Sequence, residues 1–381
     1  MLKNPKLKGI SEKAAQGDAA AQKELGDCYA LGCGVKKNQK KAFELYTLAA
    51  GQGYAPAQAA LGVCYERGKG VVRDVNKAFD LYGRAVVQGD PHAQYLLGCS
   101  CLYGAGVEKN IARGVEWLTK AANQGFGPAQ SLLAIMYRNG QEVEKDPSKA
   151  LEWERKLAEQ GNEEFQFRLG NYYRDGVGVE KNIQTAVEWY VKAAEFFHEE
   201  ALSALLDCYS DPTLDAILPQ QLHEKVCQIL HFAVVLGNST AQILLARMYY
   251  YGQGVAKDEK RAFALWSKLA ARGNTVAQIS LALMCYVPGK GVRKNLPRAA
   301  KLLATAAEQG DSFAQFYLGD FYYNGCGVPQ DFDKALALWT ESAKNGNVEA
   351  QERLKECAAL GDKARNSLKI PAPKMRSESE L

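Results

Sequence analysis

The sequence predicts an all-α fold, a solenoid of about nine stacked helix pairs, and three recurring features carry this prediction. A leucine recurs every 36 residues through the first six repeats, and the phase continues after small insertions. An Asn or Asp follows most of these leucines 13 residues later, and a Gly closes nearly every repeat. A period of this size is typical of a solenoid, in which each repeat buries its apolar face only against its neighbours. The leucines are Leu25, Leu61, Leu97, Leu133, Leu169, Leu205, Leu245, Leu281 and Leu318.

The first helix of each repeat, helix A, is predicted from an Ala-rich stretch that is clearest over residues 57–65. Apolar residues recur there at helical spacing. Gly68 and Gly70 follow and end the helix, because only Gly enters the left-handed region without steric cost. Val71 then supplies one apolar residue in an otherwise polar loop.

The second helix, helix B, is predicted to begin at a recurring Asn or Asp whose side-chain oxygen caps free N–H groups. In the second repeat this cap is Asp74, and apolar residues recur at helical spacing over residues 77–85. The caps are Asn38, Asp74, Asn110, Asp146, Asn182, Asp258, Asn295 and Asp331. The closing glycines are Gly53, Gly89, Gly125, Gly161, Gly273, Gly310 and Gly346.

The domain organisation follows from the extent of the repeats. A solenoid is one quasi-linear body, so residues 11–347 are predicted to form a single domain. The sixth repeat, about residues 198–237, lacks the Gly loop and is expected to be irregular. Residues 348–360 predict a C-terminal capping helix. Residues 1–10 are expected to be flexible, and residues 361–381 to form a disordered tail.

These recurring residues resemble the Sel-one-like repeat, a relative of the tetratricopeptide repeat. The family pattern, roughly A-x-x-x-L-G-x-x-Y-x-x-G-x-G-V, a cap and K-A-x-x-W-Y-x-K-A-A-x-x-G, stands almost complete at residues 21–53, 165–194 and 314–346. Phe197 departs from it in place of the turn Gly, and Glu142 in place of the second loop Gly. The resemblance implies a right-handed α-α superhelix. It also implies a non-catalytic adaptor or scaffold that holds a peptide or partner protein in a concave groove lined by the A helices.

Two clusters of partner-binding residues follow if the tetratricopeptide geometry holds. Five positions of each helix A would face the groove, at residues 20, 23, 27, 30 and 31 of the first repeat, and they vary along the chain. Aromatic residues and Arg are the usual anchors of interfaces, although packing between adjacent A helices is the alternative for some of them. The third to fifth repeats offer Tyr95, Tyr103, Ile135, Arg138, Phe167, Asn171 and Arg174. The seventh to ninth repeats offer Ile243, Arg247, Tyr250, Tyr251, Ile279, Phe313, Phe316, Asp320 and Tyr323.

The charge balance argues against a nucleic acid partner. The chain has 47 basic and 43 acidic residues, a net charge of +4. This is not the excess of positive charge that is typical of a nucleic-acid-binding protein. One basic row precedes the helix B caps, at Lys37, Arg73, Lys109, Lys145, Lys181, Lys257 and Lys294. A cation before a helix N-terminus gains nothing from the helix dipole, so local stability does not account for the row. A solvated loop edge is favoured, and a binder of an anionic membrane or nucleic acid surface is the alternative.

Residues that could support catalysis or metal binding are few. His223, Cys227 and His231 are spaced four apart in the sixth repeat, a row that could contribute to a Zn²⁺ site. No fourth ligand is identifiable, so a half-buried helix face is favoured, and neither a metal nor a cofactor is expected. A β-lactam-hydrolysing label on some secreted relatives keeps a hydrolase as an alternative. Such serine enzymes need Lys three residues after the Ser, and no Ser here has one. The chain is therefore expected not to be an enzyme.

Cellular location is predicted from cysteine usage and hydrophobic runs. Several of the 10 Cys residues share a repeat position with Met and aromatic residues, which indicates reduced, structural thiols. No apolar stretch approaches the roughly 20 residues that span a bilayer, and the N-terminal residues show no secretory signal. We expect a cytoplasmic monomer without a transmembrane segment, with export without a classical signal peptide as the alternative.

Overall fold

The fold, taken from a computed structural model, is a succession of helix pairs. The structure describes residues 5–211, 213–286 and 293–359. All regular secondary structure in these ranges is helical, which confirms the predicted all-α solenoid of repeated helix pairs. The chain divides into two compact units, residues 1–165 and 166–381, each built from the same kind of pair.

The N-terminal unit begins with one helix and continues as four pairs. Its helices are α1 (Pro5–Ala15), α2 (Ala19–Leu31), α3 (Gln39–Gly51), α4 (Ala55–Arg67), α5 (Val75–Val87), α6 (Pro91–Tyr103), α7 (Ile111–Asn123), α8 (Gly127–Asn139) and α9 (Pro147–Glu159). The A helices are α2, α4, α6 and α8, and each packs most extensively on the helix B that follows it.

The C-terminal unit holds the remaining repeats and includes most of α10. Its helices are α10 (Glu163–Asp175), α11 (Ile183–Ala194), α12 (Glu199–Cys208), α13 (Leu214–Ile217), α14 (Gln220–Val235), α15 (Ser239–Tyr251), α16 (Glu259–Ala270), α17 (Thr275–Tyr286), α18 (Leu296–Glu308), α19 (Ser312–Asn324), α20 (Phe332–Lys344) and α21 (Val348–Ala359). The sixth repeat is irregular because the short helix α13 and Pro219 stand between its helices α12 and α14.

The predicted caps start the B helices. Asp74 Oδ1 accepts a hydrogen bond from the backbone N–H of Lys77 at 3.0 Å, and the other seven Asn and Asp residues make the equivalent bond. Gly68 ends helix α4 with φ of +63°, a left-handed conformation that favours glycine. Among the described residues, Glu142 and Phe197 are the only non-glycine residues with positive φ, at +62° and +61°.

A glycine on helix A allows helix B to approach closely within a pair. A β-carbon on Gly62 would lie 2.4 Å from the Tyr82 ring, and one on Gly26 would lie 2.6 Å from the Tyr46 ring. Gly170 and Gly319 stand in the same relation to Tyr190 and Trp339. In these four repeats the residue after the recurring leucine is therefore small, because an aromatic ring of helix B occupies the space that a larger side chain at this position would need.

A row of glutamine pairs joins the start of helix A to the end of helix B. Gln88 Nε2 donates to Gln58 Oε1 at 3.0 Å in the second repeat. The equivalent bonds run from Gln52 to Gln22, from Gln124 to Gln94, from Gln309 to Gln278 and from Asn345 to Gln315. Since the helix A glutamines are buried, this pairing satisfies amide groups that would otherwise be costly to bury.

The ends of the solenoid differ in part from the sequence-based prediction. Helix α1 begins at Pro5, inside the segment 1–10 that was expected to be flexible, so that expectation is wrong for residues 5–10. Leu7 is 4% exposed because it packs against Leu25 of helix α2, with Ile10 beside it. At the other end α21 packs against α20. The predicted tail, residues 361–381, lies outside the described residues.

The close approach of the Tyr82 ring to Gly62 predicts that alanine at position 62 makes the protein less stable than glycine does. Alanine is the better helix former, yet Gly62→Ala places a methyl group in the Tyr82 ring. We expect a loss of about 1–3 kcal/mol in the free energy of unfolding, measured by urea denaturation. Gly83→Ala is the matched control, because a β-carbon at this helical position meets nothing within 4 Å. It should add about 0.5–1 kcal/mol. Equal effects of the two variants would contradict this account.

Candidate interaction surface

The A helices of the N-terminal unit expose a row of side chains at their C-terminal ends. Tyr103 of α6 is 66% exposed and Leu31 of α2 is 73% exposed. Arg67 and Asn139, at the same repeat position in α4 and α8, are also exposed. Ile135 lies one turn before Asn139 and is 38% exposed. We call Leu31, Arg67, Tyr103, Ile135 and Asn139 the A-helix row.

Two other predicted site residues of this unit have structural partners. The Tyr95 ring is half-buried, and its centroid lies 5.5 Å from that of Phe126 at the start of the next helix A. Arg138 Nη1 lies 2.7 Å from Oε1 of Glu154, whose carboxylate is almost completely buried. Because a buried carboxylate is costly without a cation, Arg138 supports the fold whatever else it contacts.

The predicted site residues of the fifth repeat also make contacts within the protein. Asn171 Oδ1 accepts a hydrogen bond from the Tyr190 hydroxyl at 2.8 Å. Arg174 Nε lies 2.8 Å from Oδ1 of its neighbour Asp175. The Phe167 ring is half-buried and lies 5.0 Å from the His198 ring, measured between centroids. These residues lie at the predicted positions but are held by internal contacts.

The second predicted cluster is mostly core, which corrects the expectation that it forms an exposed surface. Tyr251 is 39% exposed and Phe313 is half-buried. The other members are buried in the core, where the rings of Tyr250 and Tyr323 pack against Trp266 and Trp339 on the following B helices. The buried residues are Ile243, Arg247, Tyr250, Ile279, Phe316, Asp320 and Tyr323. The sequence variation at these positions therefore reflects different packing in each repeat.

Arg247 illustrates why an arginine in this cluster is not a surface anchor. Its side chain is 8% exposed, and Nη1 donates to Ser210 Oγ of the irregular sixth repeat at 2.9 Å. A buried guanidinium that is hydrogen-bonded in this way holds neighbouring repeats together. The guanidinium therefore does not present its charge to a partner.

Asp320 is a buried carboxylate with one distant cation. It is 1% exposed, and among the described residues the Trp339 side chain is the one polar group besides Arg353 that favours its charged form. The closest cation is Arg353 of α21, whose Nη2 lies 3.8 Å from Oδ2. Burial raises the pKa of Asp320 to about 6, and Arg353 opposes this only in part. Arg353, which the sequence-based site omitted, lies immediately before Leu354, in phase with the recurring leucines.

The basic row lies over the C-terminal ends of the A helices. Arg73 Nε donates to the carbonyl oxygen of Glu66, in the last turn of α4, at 2.9 Å. At the equivalent position of the ninth repeat, Gln330 Nε2 donates to the Tyr323 carbonyl oxygen at 2.8 Å. Donors and cations near a helix C-terminus are favourable. The expectation that local stability gains nothing from this row is therefore wrong for Arg73.

The side chains of His223, Cys227 and His231 lie within hydrogen-bond distance of partners in the sixth and seventh repeats. His223 Nδ1 lies 2.8 Å from the Tyr209 hydroxyl. His231 Nδ1 lies 2.8 Å from the Cys227 carbonyl oxygen, and its Nε2 lies 3.0 Å from the Tyr249 hydroxyl. Over residues 5–211, 213–286 and 293–359, no group of three or more His, Cys, Asp or Glu side chains is placed to hold a metal ion.

The cysteines carry no signs of an activated nucleophile. All ten are free thiols. Burial raises the pKa of Cys64 and of Cys208 to about 11, and it also raises the pKa of Cys227. Because the thiolate is the nucleophilic form, these thiols are unreactive near neutral pH.

Comparison with known proteins identifies the family. The Sel1 repeat family model matches eight stretches and leaves out residues 196–238 around the irregular sixth repeat. The matched residues are 19–54, 55–90, 91–126, 127–162, 164–195, 239–274, 275–311 and 312–347. The chain belongs to the Sel1 repeat family. Proteins of this family generally serve as non-catalytic scaffolds for protein interactions.

Two solved structures illustrate the likeness. A protective antigen from uropathogenic Escherichia coli that displays an SLR fold is 31% identical, with a TM-score of 0.53. The match covers 93% of this chain and 82% of that protein. A Sel1 repeat protein from Oxalobacter formigenes is 29% identical over 93% of this chain and 90% of its own, with a TM-score of 0.34.

Within the described part of the chain, no helix combines the length and the apolar character that crossing a membrane requires.

The environment of Asp320 predicts a loss of stability as pH rises. Its pKa is about 6 in the folded protein and close to 3.8 when unfolded, so the folded state holds the proton more tightly. This favours folding below about pH 4, and the benefit is lost as pH rises through about 6. Asp320→Asn should therefore raise the unfolding free energy at pH 7 by up to about 3 kcal/mol, and much less at pH 4.

Urea denaturation between pH 4 and pH 7 measures this effect. Glu352→Gln, at an exposed position of the same helix as Arg353, is the matched control and should parallel the wild type. A difference between Asp320→Asn and the wild type that stays constant with pH would show that Asp320 does not titrate in this range.

Proposed function

We propose that this Sel1 repeat protein is a non-catalytic adaptor that binds a peptide or a partner protein along the A-helix row. This surface belongs to the helix A face for which the sequence predicts a concave groove. The observation that carries the proposal is the recurrence of exposed side chains at one repeat position, with Tyr103 66% and Leu31 73% exposed. Tyrosine and arginine are enriched among residues that anchor interfaces.

The chemistry of the row suits a peptide with mixed character. Arg67 can pair with a carboxylate of the partner, whereas Leu31, Tyr103 and Ile135 offer apolar contact. Because the contacts recur with the repeat, an extended partner would gain affinity from several small contacts. The repeat family supports this mode in general, since scaffolding is the common role of its members.

No specific observation favours either alternative from the sequence, the hydrolase or the binder of an anionic surface. A hydrolase needs an activated nucleophile, and the buried thiols have raised pKa values. An anionic-surface binder would use the basic row, yet Arg73 is bonded to the end of helix α4. A monomeric state and a cytoplasmic location remain part of the proposal.

The test removes the exposed apolar side chains and leaves the core intact. Tyr103→Ala combined with Ile135→Ser should abolish capture of specific proteins from a lysate of source cells, compared with wild type by quantitative mass spectrometry. Arg138→Glu is unsuitable, because it would place a second carboxylate against the buried Glu154. Circular dichroism should show an unchanged helical content.

The matched control is Leu48→Ser combined with Val87→Ser, which removes apolar side chains that are 58% and 88% exposed on B helices. This variant should retain every specific partner. Equal recovery of partners by the Tyr103–Ile135 variant and the wild type would place the interface elsewhere and contradict the proposal.

A further inference from the structure

Five exposed apolar residues lie at or just after the C-terminal ends of α11 and α14, the B helices of the fifth and sixth repeats. Val235 is 81% exposed, Leu236 62%, Phe196 58%, Phe232 57% and Phe197 37%. The rings of Phe197 and Phe232 stack with centroids 5.4 Å apart and planes inclined by 28°. We call these five residues the Phe patch. It lies within the C-terminal unit and shares no residue with the A-helix row.

Most other repeats carry polar residues at the positions of Phe196, Phe232 and Leu236, although Leu48 occupies the Phe232 position in the first repeat and Val87 occupies the Val235 position in the second. Phe196 and Leu236 replace the glutamine that ends helix B, such as Gln88, which is hydrogen-bonded to helix A. Phe232 replaces a lysine that lies over a tryptophan ring in three repeats, at 4.2 Å, 4.1 Å and 3.7 Å from the ring centroid. Those lysines are Lys120, Lys156 and Lys192. Most repeats therefore fold with polar residues at the positions of Phe196, Phe232 and Leu236.

Phe197 is in a backbone conformation that disfavours a side chain. Its φ is +61°, in the left-handed region. Glycine occupies the equivalent position in the other repeats, at Gly53, Gly89, Gly125, Gly161, Gly237, Gly273, Gly310 and Gly346. A β-carbon is unfavourable in this region, and residues held there cluster at functional sites. The phenyl ring makes its ring contact with Phe232, which is itself 57% exposed.

Acidic side chains border the Phe patch. Glu195 is paired with Lys225, with 2.6 Å between Oε1 and Nζ. Glu199 and Glu200 follow Phe197 in the first turn of α12, and both are exposed. Within the described residues, Glu200 contacts His198, and neither carboxylate is paired with a lysine or arginine. The border of the patch is therefore negative on this side.

We propose that the Phe patch is a second docking surface, and that it binds a partner protein through a segment that is apolar and basic. The segment places large apolar side chains on Phe196, Phe232 and Leu236, and Lys or Arg beside Glu199 and Glu200. Apolar area of this kind supplies affinity, and complementary charge supplies orientation and specificity. A second copy of the chain would bring acidic side chains against acidic side chains. An anionic membrane would be repelled.

The experiment uses two synthetic peptides that differ in charge alone. The first is a fluorescein-labelled amphipathic peptide of about 15 residues built from Leu and Lys, and the second replaces every Lys by Glu. Fluorescence anisotropy with the full chain should show binding of the Lys peptide, and at least about tenfold weaker binding of the Glu peptide. Equal affinities, or no binding of the Lys peptide, would overturn the proposal.

The variants restore what the other repeats contain. Phe196→Gln combined with Phe232→Lys should keep the circular dichroism spectrum and weaken Lys-peptide binding at least about tenfold. Val87→Gln is the control, because it removes an even more exposed apolar side chain from the N-terminal unit, and its affinity should equal that of the wild type. An unchanged affinity of the double variant would overturn the proposal. So would concentration-dependent dimerisation, or binding to phosphatidylcholine vesicles, that the double variant abolishes.

Phe197→Gly separates a role in binding from a role in folding. Glycine removes the unfavourable backbone conformation, so the melting temperature should rise while Lys-peptide binding weakens. A lower melting temperature with unchanged binding would show that Phe197 serves the fold and would remove it from the proposed surface.

Discussion

The close approach of helix B to a small residue on helix A is the constraint on which each repeat depends. An added β-carbon on Gly62 would lie 2.4 Å from the Tyr82 ring, so the ring occupies the space that a side chain would take. This approach places the Tyr82 hydroxyl 3.0 Å from Glu66 of helix A. One aromatic side chain therefore fixes the distance between the two helices and also selects a polar partner on helix A.

The same constraint explains which predicted site residues are available to a partner. Where helix B offers a tyrosine hydroxyl, helix A supplies an acceptor, as Asp27 does for Tyr46 and Asn171 does for Tyr190. In the fourth repeat helix B carries the buried Glu154, and Arg138 on helix A pairs with it. Variation along helix A is therefore matched to variation along helix B. Reading each helix alone made these positions look unconstrained.

Local chemistry that recurs was predictable from sequence, whereas contacts that occur once were not. The caps and the left-handed glycines repeat in phase, so their spacing was sufficient to predict the helix pairs. Helix α1 has no such recurrence, and its burial through Leu7 became visible only in the structure. The role of Arg73 in the basic row was not visible from sequence, because sequence order sets it before helix B. The fold brings Arg73 to the end of the preceding helix A.

Residues that depart from the repeat pattern differ in their roles, and the contacts of each side chain distinguish these roles. Glu142 and Phe197 both hold a side chain in the left-handed region. Glu142 Oε1 lies 2.9 Å from Lys109 Nζ, so its side chain forms an ion pair between the loops of two repeats. Phe197 stacks on Phe232, which is itself 57% exposed. Both contacts join neighbouring repeats, but the stacked rings also leave apolar surface in water. A repeat protein supplies its own reference for this comparison, because the other copies show what the fold requires at each position.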